Sequence, residues 1–307
     1  MSVIGIDTSN YTTSIAYFDG LNGENCSRLL PVRQGELGLR QSDAVFAHIK
    51  SLPELSSRLF SHIQRETVTA VGVSTRPRAV EGSYMPCFMV GYSHAKLLAD
   101  TLNVPLIEVS HQQGHVAASL WSAGHMELMN APHLAWHLSG GTTELLLVEP
   151  EGKNVRCTKI GGTTDISAGQ LIDRTGQLLE LPFPSGKHLD ALSKEATMKE
   201  TFKVKCRNME FSLSGVQNKV QQFHASHKNP AETAGFALRC VAKAVYLATE
   251  QALKAYPGLR VVFSGGVASN SMLREVLKPL NPIFSPPQFA TDNAMGVAVL
   301  TFLNQEG

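Results

Sequence analysis

One pattern occurs twice in this chain and limits what it can fold into more than any other feature. Residues 2–7 form an apolar run that ends in an acid, Asp7. A hydroxyl-rich stretch follows, Thr8-Ser9-Asn10-Tyr11-Thr12-Thr13, and residues 14–18 resume the run before Asp19-Gly20 turns it. Residues 132–150 repeat the arrangement. Apolar residues 134–138 meet a polar loop, Ser139-Gly140-Gly141-Thr142-Thr143, and residues 145–148 are apolar again. Both stretches read as two strands joined by a tight polar turn. Glycines at such a tip let backbone N–H groups approach a ligand and hydroxyls add donors, which is the chemistry of a phosphate cradle. An ordinary hairpin turn is the competing reading. A third loop, Ser264-Gly265-Gly266-Val267-Ala268-Ser269-Asn270, follows a strand at 259–263 and opens a helix. Free N–H groups at a helix start favour an anion or nucleotide.

Two similar hairpins and this third loop predict a duplicated α/β fold. It resembles the ribonuclease H-like domains of actin, the sugar kinases and the heat-shock ATPases, with a nucleotide cleft between the two halves. No GxxxxGK motif followed by Ser or Thr occurs, so a P-loop is excluded. A chain of 307 residues suits two domains, placed at 1–109 and 110–307, with the last helix, 291–305, packing back on the first. A hydrophobic content of 43% is ample for two cores, yet no apolar run reaches membrane-spanning length. The five cysteines are scattered without a CxxC pair and read as reduced thiols of a cytoplasmic protein. A net charge of +1 gives no whole-protein field for nucleic acid. The basic residues concentrate at 187–228, an insertion with eight Lys/Arg against four acids.

Along the chain, residues 38–64 read as a helix broken at Pro53, with Val45, Phe46, Ile49, Leu55, Leu59 and Phe60 on its apolar face. Residues 69–73 and 104–109 are strands around a helix at 85–102. Ser110 then caps a helix to about residue 123. His111 and His115 lie four apart on the first turn of that helix, so both imidazoles share a face at metal-ligand spacing. Chance is the competing reading, since His133 and His137 have the same spacing on a predicted strand. No Glu lies between the pair, which excludes the HExxH metalloprotease motif. Residues 158–165 read as a turn, 166–181 as an amphipathic helix carrying Asp173, and 231–256 as a long buried helix. Lys203, Lys205 and Arg207 alternate as they would on one face of a strand, either a charged edge or a patch for nucleic-acid phosphates.

Taken together these motifs resemble one family, the tRNA threonylcarbamoyladenosine transferases called TsaD. GIDTS at 5–9 is similar to its opening loop, HQQGH at 111–115 to its HxxxH pair and SGGTT at 139–143 to its SGGHT loop. AGQLIDRT at 168–175, FSLSGV at 211–216, GGVASN at 265–270 and ATDNAM at 290–295 follow in the family's order. The resemblance implies one divalent metal, Fe2+ or Zn2+, on His111, His115 and Asp292. It implies ATP or threonylcarbamoyl-AMP on Ser139, Gly140, Gly141, Thr142, Thr143, Asp173, Gly186, Asn270, Gly265 and Gly266, with Thr8, Ser9, Asn10 and Thr12 as first-loop candidates. The implied reaction carries a threonylcarbamoyl group from threonylcarbamoyl-AMP to the N6 amino group of the tRNA adenosine beside the anticodon. A smaller paralogous subunit and an ATPase subunit are the implied partners. The sequence departs from the family where Tyr11 and Thr12 replace an acidic pair, Thr142 a His, Gln170 a Glu and Ile166 an Asp. Those departures motivate an alternative: a nucleotide- and metal-binding paralogue that acts as a non-catalytic scaffold.

Overall fold

The computed structural model describes residues 1–31, 39–289 and 293–305. The chain divides into two compact units. The first contains Met1–Ala131, Glu149–Cys157 and the described part of 292–307; the second contains Pro132–Val148 and the described part of 158–291.

The first unit is built on a five-stranded sheet, β3-β2-β1-β4-β5. Its strands are β1 (Ser2–Thr8), β2 (Thr12–Phe18), β3 (Gly23–Leu29), β4 (Val68–Arg76) and β5 (Leu106–Ser110). β1 pairs antiparallel with β2 and parallel with β4. Successive side chains on a strand point to opposite faces, and β1 uses that strictly. Ile4 and Ile6 enter a core with Leu52, Leu55, Ala95 and Ala99, which come from α1 (Gln41–Phe60) and α2 (Phe88–Leu102). Gly5 lies on the other face, where a Cβ would stand 2.5 Å from the backbone of Ala298. Ala298 belongs to α9 (Met295–Gln305), which also packs on α3 (His111–Ala123). A Cβ on Gly296 would sit 1.8 Å from the Gly114 carbonyl oxygen. Glycine is therefore what lets α9 lie against β1 and α3 at backbone contact.

The second unit repeats the plan. Its sheet runs β12-β11-β6-β7-β8-β10-β9. The strands are β6 (His133–Leu138), β7 (Thr143–Glu151), β8 (Asn154–Thr163), β9 (Cys206–Arg207), β10 (Glu210–Phe211), β11 (Val261–Ser264) and β12 (Ile283–Phe284). β6 pairs antiparallel with β7 and parallel with β11, as β1 does with β2 and β4. The order β8-β7-β6-β11-β12 thus mirrors β3-β2-β1-β4-β5, and the duplication expected from the two hairpins is present in the strand order. Leu134, Trp136 and Leu138 alternate into a core completed by α4 (Ala168–Leu178), α6 (Ser214–His227), α7 (Pro230–Ala255) and α8 (Ser271–Leu277). Trp136 donates its indole N–H to Thr249 Oγ1 at 2.8 Å, the partner a buried Trp requires.

Several sequence expectations change. α1 runs through Pro53 without a break, and its face is shifted: Phe46 and Ile49 are 59% and 49% exposed, while His48 and Ser51 are buried. Thr13, a residue of β2, supplies the reason, since its hydroxyl meets His48 Nδ1 at 2.8 Å. Residues 158–163 belong to β8 rather than to a turn. Lys203 and Lys205 lie outside any strand, and only Arg207 falls in β9. The first unit extends past the expected boundary at 109 and takes in α3, because α3 packs on α9 and β5.

The α9 contact gives a test. Gly296→Ala places a methyl where the Gly114 carbonyl stands, so we expect a loss of about 1–3 kcal/mol from overpacking. Thermal unfolding followed by circular dichroism reads it, and an unchanged melting temperature would contradict the contact.

Candidate metal and nucleotide sites

In the first unit the chemistry gathers at the C-terminal ends of β1, β4 and β5, where parallel strands present ligands. Ser110 ends β5 and caps α3 through a capping box: its hydroxyl accepts from Gln113 N at 3.2 Å, and its own N–H donates to Gln113 Oε1 at 2.9 Å. Gln113 also donates to the Val155 carbonyl at 2.8 Å. The helix start is thereby fixed, and His111 and His115 fall one turn apart on one face. Their Nε2 atoms are 2.9 Å apart. Two nitrogens bound to one cation at Zn–N lengths of about 2.0–2.1 Å lie about 2.9–3.4 Å apart for cis or tetrahedral angles, so the pair fits a divalent metal. Among the described residues no cluster of three or more His, Cys, Asp or Glu is poised to hold a metal. Asp292, the third expected ligand, lies outside the described residues.

Strand alternation decides what the opening loop does. Thr8 points to the α2 face, where its hydroxyl donates to the Cys87 carbonyl at 2.9 Å and accepts from Gly91 N at 3.0 Å. That hydroxyl ties β1 to the start of α2. Asn10 Oδ1 accepts from Gln41 Nε2 at 2.6 Å and holds the loop to α1. Ser9 and Thr12 are buried. Asp7 points the other way. Its Oδ2 lies 2.6 Å from His111 Nδ1, and its Oδ1 accepts from Ser74 Oγ at 2.7 Å. Asp7 and Ser74 were not among the expected site residues. A signal existed in the sequence: an acid closing an apolar strand is an acid to be buried, and a buried acid needs partners.

In the second unit the loop between β6 and β7 is closed by Ser139 N donating to the Thr142 carbonyl at 2.8 Å and Thr142 N donating to Ser139 Oγ at 3.1 Å. The start of α4 docks on it. Ser167 Oγ donates to the Gly140 carbonyl at 2.5 Å, Thr143 Oγ1 accepts from Ala168 N at 2.8 Å, and a Cβ on Gly169 would meet Ser139 O at 2.4 Å. Gly140 and Gly141 are exposed, and a Cβ on either would meet nothing within 4 Å. Gly265 differs: it has a φ of +92° and its Cβ would stand 2.1 Å from Leu138 O, so the fold itself requires glycine there. Gly266 is exposed beside it.

Asp173, in α4, accepts from Ser185 N at 2.8 Å and anchors the loop that leads to Gly186, the first residue of α5 (Gly186–Ser193). Burial pushes its carboxyl above the usual value, and the Ser185 amide opposes that in part. Asn270 is committed at both ends: Oδ1 caps α8 by accepting from Leu273 N at 2.9 Å, and Nδ2 donates to Asp190 Oδ1 at 2.7 Å. Asp190 was missed by sequence reasoning. So was Asp165, which accepts from Ser212 Oγ and Ser214 Oγ, both at 2.5 Å, and from Leu213 N at 2.8 Å at the start of α6. Burial pulls the Asp165 carboxyl up, but these serine hydroxyls and amides outweigh it and hold it at about 2.

The family model for TsaD, tRNA N6-adenosine threonylcarbamoyltransferase, matches residues 37–299. The chain belongs to the TsaD family. A tRNA N6-adenosine threonylcarbamoyltransferase of Carboxydothermus hydrogenoformans is 31% identical over 96% of this chain and 90% of its own length. One of Thermosipho africanus is 29% identical over 97% of this chain and 93% of its own. Among solved structures, T. kodakarensis HypF superposes with a TM-score of 0.63 at 14% identity; all of this chain is covered, and it spans 48% of HypF. Component A of the Acidaminococcus fermentans (R)-2-hydroxyglutaryl-CoA dehydratase gives 0.60 at 15% identity with both chains fully covered. A ROK family glucokinase from Streptomyces griseus gives 0.55 at 10%, also over both full lengths. These likenesses establish the actin and sugar-kinase fold for this TsaD member. No helix among its described residues is long and apolar enough to cross a membrane.

Asp165 yields a pH prediction. Its folded-state carboxyl titrates below the ordinary value of 3.8, near 2, so its contribution to stability is present above the ordinary value and is lost as pH falls through about 2. Asp165→Asn is expected to melt below wild type at neutral pH, with the gap closing between about pH 4 and 2. A gap independent of pH would refute the cap.

Proposed function

We propose that this TsaD member transfers a threonylcarbamoyl group from threonylcarbamoyl-AMP to the N6 amino group of the adenosine next to the anticodon of tRNA. A bond forms between N6 and the carbamoyl carbon, the bond from that carbon to the phosphate oxygen breaks, AMP leaves, and N6 gives up a proton. The observation that carries the reading is the His111–His115 pair, with Nε2 atoms 2.9 Å apart, in a chain that matches the family over 37–299.

His111 and His115, with Asp292, would hold one Fe2+ or Zn2+. When bound, that cation supplies a Lewis acid for the carbamoyl oxygen. The loop Ser139, Gly140, Gly141, Thr142 and Thr143 would take the nucleotide. Gly140 and Gly141 support this role, because neither a positive φ nor a neighbouring atom demands glycine there. Asp173 keeps one carboxyl oxygen beyond its bond to Ser185 and would accept from a ribose hydroxyl. Gly186 and Gly266 would lie along the nucleotide, whereas Asn270 would act by holding the adenosine loop in shape. tRNA is the macromolecular substrate, which puts the work in the cytoplasm, and the smaller paralogous subunit and the ATPase subunit complete the complex. The scaffold alternative rests on the sequence departures alone, and the relatives, named as transferases, do not favour it.

The test is transfer to tRNA from synthetic threonylcarbamoyl-AMP with the partner subunits present, read as modified nucleoside by mass spectrometry. His111→Ala with His115→Ala should lower the rate by about a hundredfold or more, the scale of a lost transition-state contact. Gly141→Val should melt like wild type but bind AMP at least about tenfold more weakly by calorimetry, since its side chain fills the ligand space. Wild-type turnover by the double His variant would sink the metal assignment, and unchanged AMP affinity in Gly141→Val would sink the cradle.

A further inference from the structure

The deepest-set acid of the opening strand has a task of its own. Asp7 is 1% exposed, and both of its carboxyl oxygens are engaged, Oδ1 by Ser74 Oγ at 2.7 Å and Oδ2 by His111 Nδ1 at 2.6 Å. Ser74 is itself fully buried at the end of β4. Strand alternation sets this geometry. Asp7 follows Gly5 on the face of β1 that α9 covers, and Ser74 follows Gly72 on the same face of β4. A group so enclosed, with both oxygens taken, is badly placed to accept a proton from a substrate. It is well placed to hold a ring.

We propose that Asp7 is a positioning residue for the metal site: by accepting the Nδ1 proton of His111 it fixes the ring plane and the tautomer whose lone pair is on Nε2, the atom that would ligate a divalent cation. The inference rests on the reading that the His pair binds metal. Its physical basis is general. A neutral imidazole carries one N–H, so an acceptor on one nitrogen selects which nitrogen keeps a lone pair. A carboxyl partner also raises the basicity of the ligating nitrogen and removes the rotational freedom of the ring, and loss of such a partner costs about 10–100-fold in metal affinity. In this chain the ring is held on its far edge by Asp7 while the capping box of Ser110 and Gln113 fixes the backbone beneath it. Ser74 in turn holds Asp7.

Two measurements on the full-length protein decide it. The first is Zn2+ affinity by competition with a chromophoric chelator. Asp7→Asn keeps the volume of the side chain and offers a weaker acceptor, so it should fold and bind Zn2+ about tenfold more weakly. Asp7→Ala should lose more. Ser74→Ala removes the other bond without touching His111 and should weaken binding less than Asp7→Asn does. The second is the tautomer of His111, read from its ring nitrogen chemical shifts by NMR in chelator-treated protein. Wild type should carry the proton on Nδ1, and Asp7→Ala should show a mixture. Zn2+ affinity unchanged in Asp7→Asn overturns the proposal, as does a loss in Ser74→Ala equal to that in Asp7→Asn, since the effect would then be general distortion of the strands. If wild type takes up no Zn2+, the metal reading itself fails, and the tautomer alone decides the dyad: a mixture in wild type overturns it. Should Asp7→Ala fail to fold, the Asn and Ser74 variants carry the comparison.

Discussion

A carboxyl group at the end of a buried strand imposes more on this protein than any apolar contact. Burying an acid without partners is costly, and β1 delivers Asp7 to a face where nothing polar is available from its own strand. The fold answers with two side chains from elsewhere, Ser74 on the neighbouring parallel strand and His111 at the start of α3. Meeting that requirement fixes the position of α3 with respect to the sheet, and with it His115, one turn further on. Everything beneath the pair then has to be thin. Glycine at 5 and 296 lets α9 close the layer at backbone distance, and a bulkier residue at either position would move the helices on which the pair depends. The histidines are thus held by the strand from below and by their own helix cap at the side.

The second unit solves a different problem with the same topology. The buried acid of its first hairpin, Glu144, sits on the second strand rather than at the end of the first. The loop at 139–142 is closed by its own backbone and by the hydroxyls of Ser139 and Ser167, and α4 is pressed onto it so closely that Gly169 has no room for a Cβ. A duplicated strand order therefore supports two unlike tips: one holding imidazoles through a carboxyl, the other offering an open glycine surface. Sharing a topology while differing in tip chemistry is how one fold serves unrelated activities.

What the sequence disclosed follows from how local each signal is. The paired hairpins, the buried α7 and the capping of α3 by Ser110 rest on period and on residues within four positions, and they are legible. The face of α1 was not. Phe46 and Ile49 look like core, yet the helix turns His48 and Ser51 inward because the Thr13 hydroxyl, on another element, waits for His48. Burial pushes the pKa of His48 down, so a neutral ring can pack there. β8 was hidden for the opposite reason: Thr, Gly and Lys at 158–163 read as a turn until a paired neighbour is known. The family motifs located the histidines and the glycine loops, contained Asp7 within GIDTS without giving it a role, and left out Asp165 and Asp190; the partners of these three acids lie at sequence separations of 104, 47 and 80.

The glycines sort the loops into structural and chemical parts. Gly265 and Gly169 are explained by what surrounds them, a positive φ or a carbonyl at clash distance, and any sequence with this backbone would need them. Gly140 and Gly141 have no such cause. Their φ values are negative, and the space over them is open. Glycine costs a loop conformational entropy relative to alanine, so two in succession at an exposed tip call for a compensating gain outside the folded chain. A ligand that approaches the backbone closely supplies one. The same reasoning demotes Thr8 and Asn270, whose side chains already have full employment within the fold. A polar residue in a motif is evidence for ligand contact only to the extent that its own structure leaves its atoms unspent. By that measure the backbone at 140–141 and the second oxygen of Asp173 are where the second unit's chemistry concentrates.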